Sequence, residues 1–330
     1  MATFKTEASI GNKEDLASFI SMITRDETPF ASSIGNTKAK AVFHEWQTDE
    51  LAAPGANAQS EGADYNNTTT IAATVRLGNY TQILAKEIKV SKTLDSISKA
   101  GRASEFAYQM KKKGTELKRD LEHALVGARQ VSNGTGGQTS ANNLSGGANT
   151  GRTMGGVQSW INGTSTFDQE TGAMLTGTAD GTSVAAAGTA DGAFSLSAVD
   201  EVMQKIYEEG GKAGTLMMGP SVKRAFSAAA VGTSDVRRNI DDSGKLRQSV
   251  EIYESDFGAV KVVPNYVMGL GDGASDIIVY DSANWSLATL RPLHNTDVGQ
   301  KGDSTVGMMV EEVTLQCKNP AGNGLIVNVA

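Results

Sequence analysis

The segment from Ala103 to Arg129 most constrains the fold of this chain, because its 27 residues carry one helical pattern without a proline. Apolar residues recur on one face at helical spacing, namely Phe106, Met110, Leu117, Leu121, Leu125 and Ala128. At 1.5 Å per residue, one helix over this segment would be about 40 Å long. A helix of that length indicates the spine of an elongated domain rather than part of a compact one.

Two other stretches alternate with the period of a β-strand. From Lys40 to Leu51, one face carries Val42, His44 and Trp46, and a second stretch, from Thr70 to Val90, is rich in Thr, Val, Ile and Tyr. Ala52–Asn67 lies between them and has almost no core-forming side chain. We expect an extended antiparallel hairpin whose arms reach about 26 Å. Since isolated hairpins are marginal in water, this one needs another element to pack on.

The remaining pattern mixes helices and antiparallel strands, which predicts an α+β fold. An amphipathic helix is expected to begin near Asn12 and to stop at Thr28-Pro29, and its apolar stripe could dock on its own domain or on a neighbour. Further helices are predicted over Ser197–Glu209 and Pro220–Val231. The first has Val199, Val202, Met203 and Ile206 on one stripe and should stop at Gly210-Gly211. Strands are predicted over Tyr253–Val263 and Asp276–Tyr280 and through most of Arg291–Val329, with Val313, Leu315 and Cys317 on one face.

Val131–Ser195 differs in composition from the rest of the chain. It is crowded with Gly, Thr, Ser and Ala and is sparse in apolar and charged residues. Such a segment cannot form a core alone. We therefore expect a surface insertion, which could contain short strands and is tied down at Trp160-Ile161 and Phe194.

Charge and cysteine content exclude several classes of protein. The net charge is −7 and the isoelectric point is about 5.2, which disfavours sequence-specific nucleic-acid binding because phosphate contacts need a basic excess. Cys317 is the single cysteine, so no intrachain disulfide can form. No apolar run approaches the length of a membrane span, and no secretion signal is evident. These features predict a protein that is made and assembled in a cytoplasm, without a membrane partner.

No group of residues predicts catalysis, a cofactor or a metal site. The three histidines, His44, His123 and His294, lie far apart in sequence, and Cys317 has no local histidine. Gly269–Ala274 fits a loose dinucleotide pattern, but the strand predicted after it removes the helix N-terminus that would hold a pyrophosphate. The basic run Lys111–Lys113 is interpreted as a solvated helix face rather than a nucleic-acid contact. We therefore predict no catalytic, cofactor-binding or metal-binding residue.

Several short motifs nevertheless resemble a known family, the major capsid proteins of tailed bacteriophages with the Hong Kong 97-like fold. They occur in the family's order: Trp46–Leu51, Asn79–Ile83, Val90–Thr93, Gly101-Arg102, Glu105–Gln109, Lys118–Glu122, Ser255–Gly258 and Arg291–Leu293. The resemblance is specific from about Gly11 to Arg129, moderate from Leu196 onward, and absent in the Gly/Thr-rich segment.

The resemblance implies a domain organisation. It suggests an N-terminal arm (1–39), an extended loop (40–91) and a peripheral domain with the spine helix (92–130). The Gly/Thr-rich insertion (131–194) would follow, then an axial domain (195–288) and the return strands of the peripheral domain (289–330).

The same resemblance implies the partners. The chain would join copies of itself in hexamers and pentamers of an icosahedral virion shell that encloses double-stranded DNA without sequence-specific binding. Scaffolding, portal and decoration proteins would be separate chains. Two other functions stay open at this point: the shell of an encapsulin-like compartment, and an adhesin or surface-layer subunit. An enzyme is the weakest alternative.

Overall fold

The computed structural model describes residues 24–58, 60–62, 73–97, 101–133, 151–161, 163–177, 179–185, 190–231, 250–300 and 302–330. These residues divide into two compact units. The smaller contains 24–26, Ala85–Leu117 and His294–Val310, and the larger contains the remaining described residues of Glu27–Leu84, Lys118–Leu293 and Glu311–Ala330. The helix predicted after Asn12 lies outside the described residues except for its last few positions.

The helices of the described chain are α1 (Pro29–Ser33), α2 (Lys92–Ser96), α3 (Glu105–Glu122), α4 (Val157–Trp160), α5 (Leu196–Glu208) and α6 (Pro220–Val231). The first eight strands are β1 (Gly35–Lys38), β2 (Phe43–Thr48), β3 (Val75–Tyr80), β4 (Gln82–Ser91), β5 (Thr166–Asp168), β6 (Ala173–Met174), β7 (Thr215–Met218) and β8 (Ile252–Ser255). The remaining strands are β9 (Gly258–Pro264), β10 (Ile277–Tyr280), β11 (Trp285–Gln300), β12 (Ser304–Cys317) and β13 (Gly324–Val327). The predicted α+β class is confirmed.

A seven-stranded sheet with the order β6-β5-β13-β10-β7-β9-β8 forms the core of the larger unit. Helix α5 packs on it through the predicted stripe of Val199, Val202, Met203 and Ile206, all of which are buried. The helix approaches β13 so closely that a Cβ at Gly324 would lie 2.2 Å from Val202 Cγ1. A side chain at this position would therefore prevent the helix from packing so closely on the sheet.

The two ends of α5 follow from its sequence. Ser195 caps the N-terminus, because its hydroxyl accepts a hydrogen bond from the N–H of Ser197. Gly210 adopts a left-handed backbone with φ of +73°, which ends the helix where the glycine pair predicts.

The predicted long helix is confirmed with different ends. Helix α3 begins at Glu105, and a wider π turn over His123–Gly127 continues it to within two residues of the predicted end. Its predicted apolar face is buried at Leu117, Leu121 and Leu125.

The predicted hairpin is also confirmed. Strands β2 and β3 pair antiparallel over six residues each, from Phe43 opposite Tyr80 to Thr48 opposite Val75. Thr81 alone separates β3 from β4. A four-stranded sheet has the order β1-β11-β12-β4, in which β1 runs parallel to β11.

The interpretation of Val131–Ser195 as a surface insertion is wrong for the part of it that the structure describes from 151 to 168. Strand β5 lies inside the seven-stranded sheet, parallel to β13. Trp160 and Ile161 are fully buried, as expected for the predicted tie-down points. The segment needs few apolar residues of its own because distant elements supply the apolar partners that bury it. Phe194 packs against the core, as predicted.

Two smaller predictions also need correction. Tyr253–Val263 is not one strand but a β8–β9 hairpin that turns at Asp256-Phe257. Gly258 follows this turn with φ of +136°, a conformation that side-chain-bearing residues rarely adopt. Pro29 does not merely stop a helix, because it begins α1, a position that proline favours since no intrahelical partner is lost there.

Candidate assembly surfaces

The histidines and the cysteine that the sequence singles out lie on different elements. His44 lies on β2, His123 in the π turn and His294 on β11. Cys317 is fully buried at the end of β12, and burial raises the pKa of its thiol. It therefore packs as a small apolar side chain, as predicted. Within the described ranges, no three His, Cys, Asp or Glu side chains are grouped so that they could hold a metal ion.

The glycine pattern at Gly269–Ala274 forms two short 3₁₀ turns. Strand β10 follows them, as predicted, so no helix N-terminus is available to hold a pyrophosphate. The basic run is also placed as predicted, because Lys111 and Lys112 are exposed and Lys113 Nζ lies 2.6 Å from Glu116 Oε2. No helix among the described residues is long and apolar enough to span a membrane.

The carboxylate of Glu122, at the end of α3, is fully buried and holds α1 in place. It accepts hydrogen bonds from the N–H groups of Phe30 (2.8 Å) and Ala31 (2.9 Å) and from Asn265 Nδ2 (2.7 Å). Thr28 precedes α1 and makes no side-chain cap, so Glu122 satisfies the first-turn amides in its place. Burial raises the pKa of Glu122, and these hydrogen bonds partly offset the effect. All three hydrogen bonds of Glu122 thus hold neighbouring parts of the chain in place.

A second buried carboxylate, Glu312 on β12, lies at the base of the β2–β3 hairpin. Its Oε1 accepts from Thr81 Oγ1 at 2.9 Å and from Arg152 Nη2 at 2.6 Å. Its Oε2 accepts from Arg291 Nε at 2.7 Å. Arg152 Nε also donates to the carbonyl of Thr81 at 3.2 Å. The carboxylate thus joins two strands and the 151–155 segment at one point.

Asn79 extends this polar cluster by one residue. Its side chain is fully buried and donates to the carbonyl of Leu315 at 2.7 Å and to that of Gly155 at 3.2 Å. Its Oδ1 accepts from the N–H of Gly155 at 2.9 Å. One rigid amide therefore binds both β12 and the segment before α4.

Aromatic contacts also attach the hairpin to the rest of its unit. Trp46 on β2 packs against Trp160 on α4, with ring centroids 5.1 Å apart. His44 lies beside Trp46, with centroids 5.8 Å apart. The His44–Trp46 face that strand alternation predicts is therefore the inner face of the hairpin.

The hairpin also presents apolar side chains to solvent. Leu51, just after β2, is 99% exposed and Val75, at the start of β3, is 58% exposed. Val42 and Phe43 are exposed at the other end. Burial of such groups is favourable, so this first surface is suited to association with another molecule.

A second exposed apolar surface lies beside α5. Tyr207 on α5 is 65% exposed, and its ring centroid is 5.8 Å from that of Phe257 in the β8–β9 turn. Ile252 on β8 is 63% exposed. Strand β8 is an edge of the seven-stranded sheet, and edge strands with exposed apolar residues are prone to associate.

A long helix, a hairpin attached at its base and exposed apolar surfaces are features of a structural subunit that associates with other molecules. Solved structures have the same fold. A chain from Mycobacterium phage Adephagia superposes with a TM-score of 0.60 at 10% identity, over 99% of this chain and 98% of that one. A chain from the capsid of a native GTA particle gives 0.61 at 15% identity, over 98% of each chain. The fold is the Hong Kong 97-like capsid fold.

The chain belongs to the SU10 major capsid protein family, whose profile matches residues 2–330. It is also 27% identical to the major capsid protein of Escherichia phage Phieco32, over 97% of this chain and 95% of that protein. It is therefore a bacteriophage major capsid protein that forms the head shell with copies of itself. The resemblance found in the sequence motifs is confirmed.

Sequence patterns did not reveal the anchoring role of Asn79, Arg152 and Glu312. Asn79-Tyr80-Thr81 was noticed as a family motif, but nothing in it shows that Asn79 is buried. Arg152 lies in the segment that was expected to be a surface insertion. The sequence around Glu312 did contain an indication of this role. Glu312 is a charged residue next to Val313 in an apolar strand, and such a residue must find a partner when it is buried.

Proposed function

We propose that the two exposed apolar surfaces are the contacts through which subunits build the head shell. The hairpin lies across a neighbouring subunit, and the surface at Tyr207 and Phe257 meets other copies around a local symmetry axis. Repeated contacts of both kinds produce hexamers and pentamers. The 99% exposure of Leu51, on a hairpin that is otherwise firmly attached, is the observation that carries this proposal.

The proposed domain roles follow the predicted boundaries. Residues 1–39 act as an arm, 40–91 as the extended loop, 92–130 as the peripheral domain with α3 as its spine, 195–288 as the axial domain and 289–330 as return strands. Three observations support this division. The β2–β3 pair lies within 40–91. Helices α5 and α6 and strands β7 to β10 all lie within 195–288. Strands β12 and β13 lie within 289–330. For 131–194 we propose a structural role, since its described part enters the core.

The shell encloses double-stranded DNA without reading its sequence. The net charge of −7 supports this role, because a wall with an acidic excess does not hold packed DNA tightly. Assembly takes place in the host cytoplasm and involves no membrane and no catalytic step. Scaffolding, portal and decoration proteins, where they take part, are separate chains.

Deletion of Ala52–Tyr65, which is part of the connection between β2 and β3, tests the role of the hairpin. We expect folded subunits that no longer form shells, as seen by electron microscopy and sedimentation. Replacement of the same 14 residues by a Gly/Ser chain of equal length is the matched control, because it keeps the length of the connection and leaves Leu51 in place. Shells of unchanged yield and stability from the deleted protein would contradict the proposal.

The contents of purified shells test the proposal that the shell encloses double-stranded DNA. Shells isolated from infected cells should protect double-stranded DNA from nuclease, and the DNA should show no sequence preference. Shells filled with a protein cargo and free of DNA would instead support the compartment alternative.

A further inference from the structure

We propose that Asn79, Thr81 and Glu312 are positioning residues that fix the direction of the hairpin and so control shell assembly. We call these three residues the hairpin anchor. This inference rests on the proposed function of the hairpin. It adds a second requirement, namely that the hairpin must leave its base at one defined angle.

The position of the anchor supports this role. Thr81 is the one residue between β3 and β4, where the chain passes from the two-stranded hairpin to the four-stranded sheet. Its N–H donates to the carbonyl of Val42 at 2.8 Å, which closes the base of the hairpin. Any rotation of the hairpin must change the backbone here, because Thr81 is where the hairpin becomes the sheet.

The chemistry of the anchor is directional. Apolar contacts resist separation but permit sliding, whereas hydrogen bonds require defined distances and angles. Thr81 donates to Glu312, and Asn79 binds both β12 and Gly155, so the junction is held from two sides. Asn79 and Thr81 are fully buried and Glu312 is 4% exposed. Movement would leave these buried polar groups without partners, which is costly.

The surrounding residues complete the arrangement. Arg152 and Arg291 both bind Glu312, so the buried carboxylate is neutralised from two elements. The N–H of Tyr80 donates to Ser132 Oγ at 3.2 Å, and the N–H of Met154 donates to Gln82 Oε1 at 3.2 Å. Four consecutive residues, 79 to 82, are thus bound by polar contacts to other parts of the chain.

Two conservative variants of the full-length protein test the proposal. Glu312→Gln keeps the shape and removes the charge that binds both arginines. Thr81→Val is milder, because it removes one hydroxyl and leaves the arginine pairs intact, so it folds even if the first variant does not. Glu45→Gln is the matched control, since it breaks the exposed 2.9 Å ion pair with Arg76 within the hairpin but away from its base.

Hydrogen exchange in the unassembled subunit is the first readout. We expect the amides of β2 and β3 to exchange about ten-fold faster or more in both anchor variants, as loss of a buried hydrogen bond allows local opening. The core amides of β7 and β10 should exchange as in the parent protein. The Glu45→Gln protein should match the parent protein throughout.

Shell formation is the second readout. The anchor variants should give a lower yield of closed shells and a larger share of irregular ones. Unchanged exchange at β2 and β3 would overturn the proposal, and so would faster exchange with normal shells. If deletion of Ala52–Tyr65 also left shells intact, the proposed role of the hairpin itself would fail. If only the deletion blocked assembly, the hairpin would be needed but its anchor would not.

Discussion

The carboxylate of Glu122 accepts a hydrogen bond from the backbone N–H of Phe30, and 2.8 Å separates the two atoms. The residues are 92 positions apart, so this bond joins the end of α3 to the first turn of α1. The Phe30 ring is fully buried and makes edge contacts with Tyr280 and Trp285. The bond therefore fixes a backbone segment whose side chain fills the core.

Glu122→Ala should destabilise the unassembled subunit by about 3 kcal/mol, because three buried donors lose their acceptor and each unsatisfied group costs about 1–3 kcal/mol. Urea unfolding followed by circular dichroism measures this change. Glu116→Ala is the control on the same helix, since its partly exposed pair with Lys113 should contribute less than about 1 kcal/mol. Equal effects of the two substitutions would contradict the assigned role of Glu122.

Alkaline pH should weaken the subunit through Tyr253. Burial raises its pKa from 10.0 to about 12, and its hydrogen bond to Asp200 adds to the shift. Because the neutral phenol is favoured in the folded state, its contribution is complete below pH 10 and is lost as the pH rises toward 12. Unfolding free energies measured across this window should fall less steeply for Tyr253→Phe than for the parent protein. Parallel curves would show that Tyr253 does not titrate as described.

The thiol of Cys317 should not react with Ellman's reagent in the folded subunit. It is fully buried, and burial raises its pKa, so both access and the reactive thiolate are suppressed. Reaction should become complete after unfolding in guanidinium. Ser221→Cys places a second thiol at an exposed position of α6 and is the positive control. Fast modification of the parent protein at the rate of that control would show that the end of β12 opens readily.

Local periodicity was enough to predict the hairpin strands and α5, but not the β8–β9 turn that carries Phe257. Strand alternation placed His44 and Trp46 on one face of the hairpin, and helical spacing placed Val199 to Ile206 on one stripe of α5; the structure shows that Trp46 and this stripe are buried. These patterns succeed because they depend on neighbours a few residues away. The wrong interpretation of 151–168 has the opposite cause. Strand β5 is buried by partners from remote parts of the chain, which composition does not report.

The hairpin anchor escaped prediction for the same reason. Thr81 and Glu312 are separated by 231 positions, and no local pattern joins them. The resemblance to capsid proteins correctly indicated the fold and the function. It did not indicate which polar residues hold the hairpin, because sequence motifs carry no distances. Only the packed structure shows that Asn79, two residues before Thr81, is part of the same junction.

Tyr207→Ala should impair assembly while leaving the subunit folded. The ring is 65% exposed and packs against Phe257, an exposed residue of the β8–β9 turn, so we expect a change in subunit stability within about 0.5 kcal/mol. In a shell, truncation of a buried interfacial aromatic costs about 2 kcal/mol or more at each contact, and the loss recurs in every subunit. Light scattering during assembly should show a higher threshold concentration for Tyr207→Ala than for Gln204→Ala, an exposed polar control on the same helix. Identical thresholds would show that this surface remains in solvent in the finished shell.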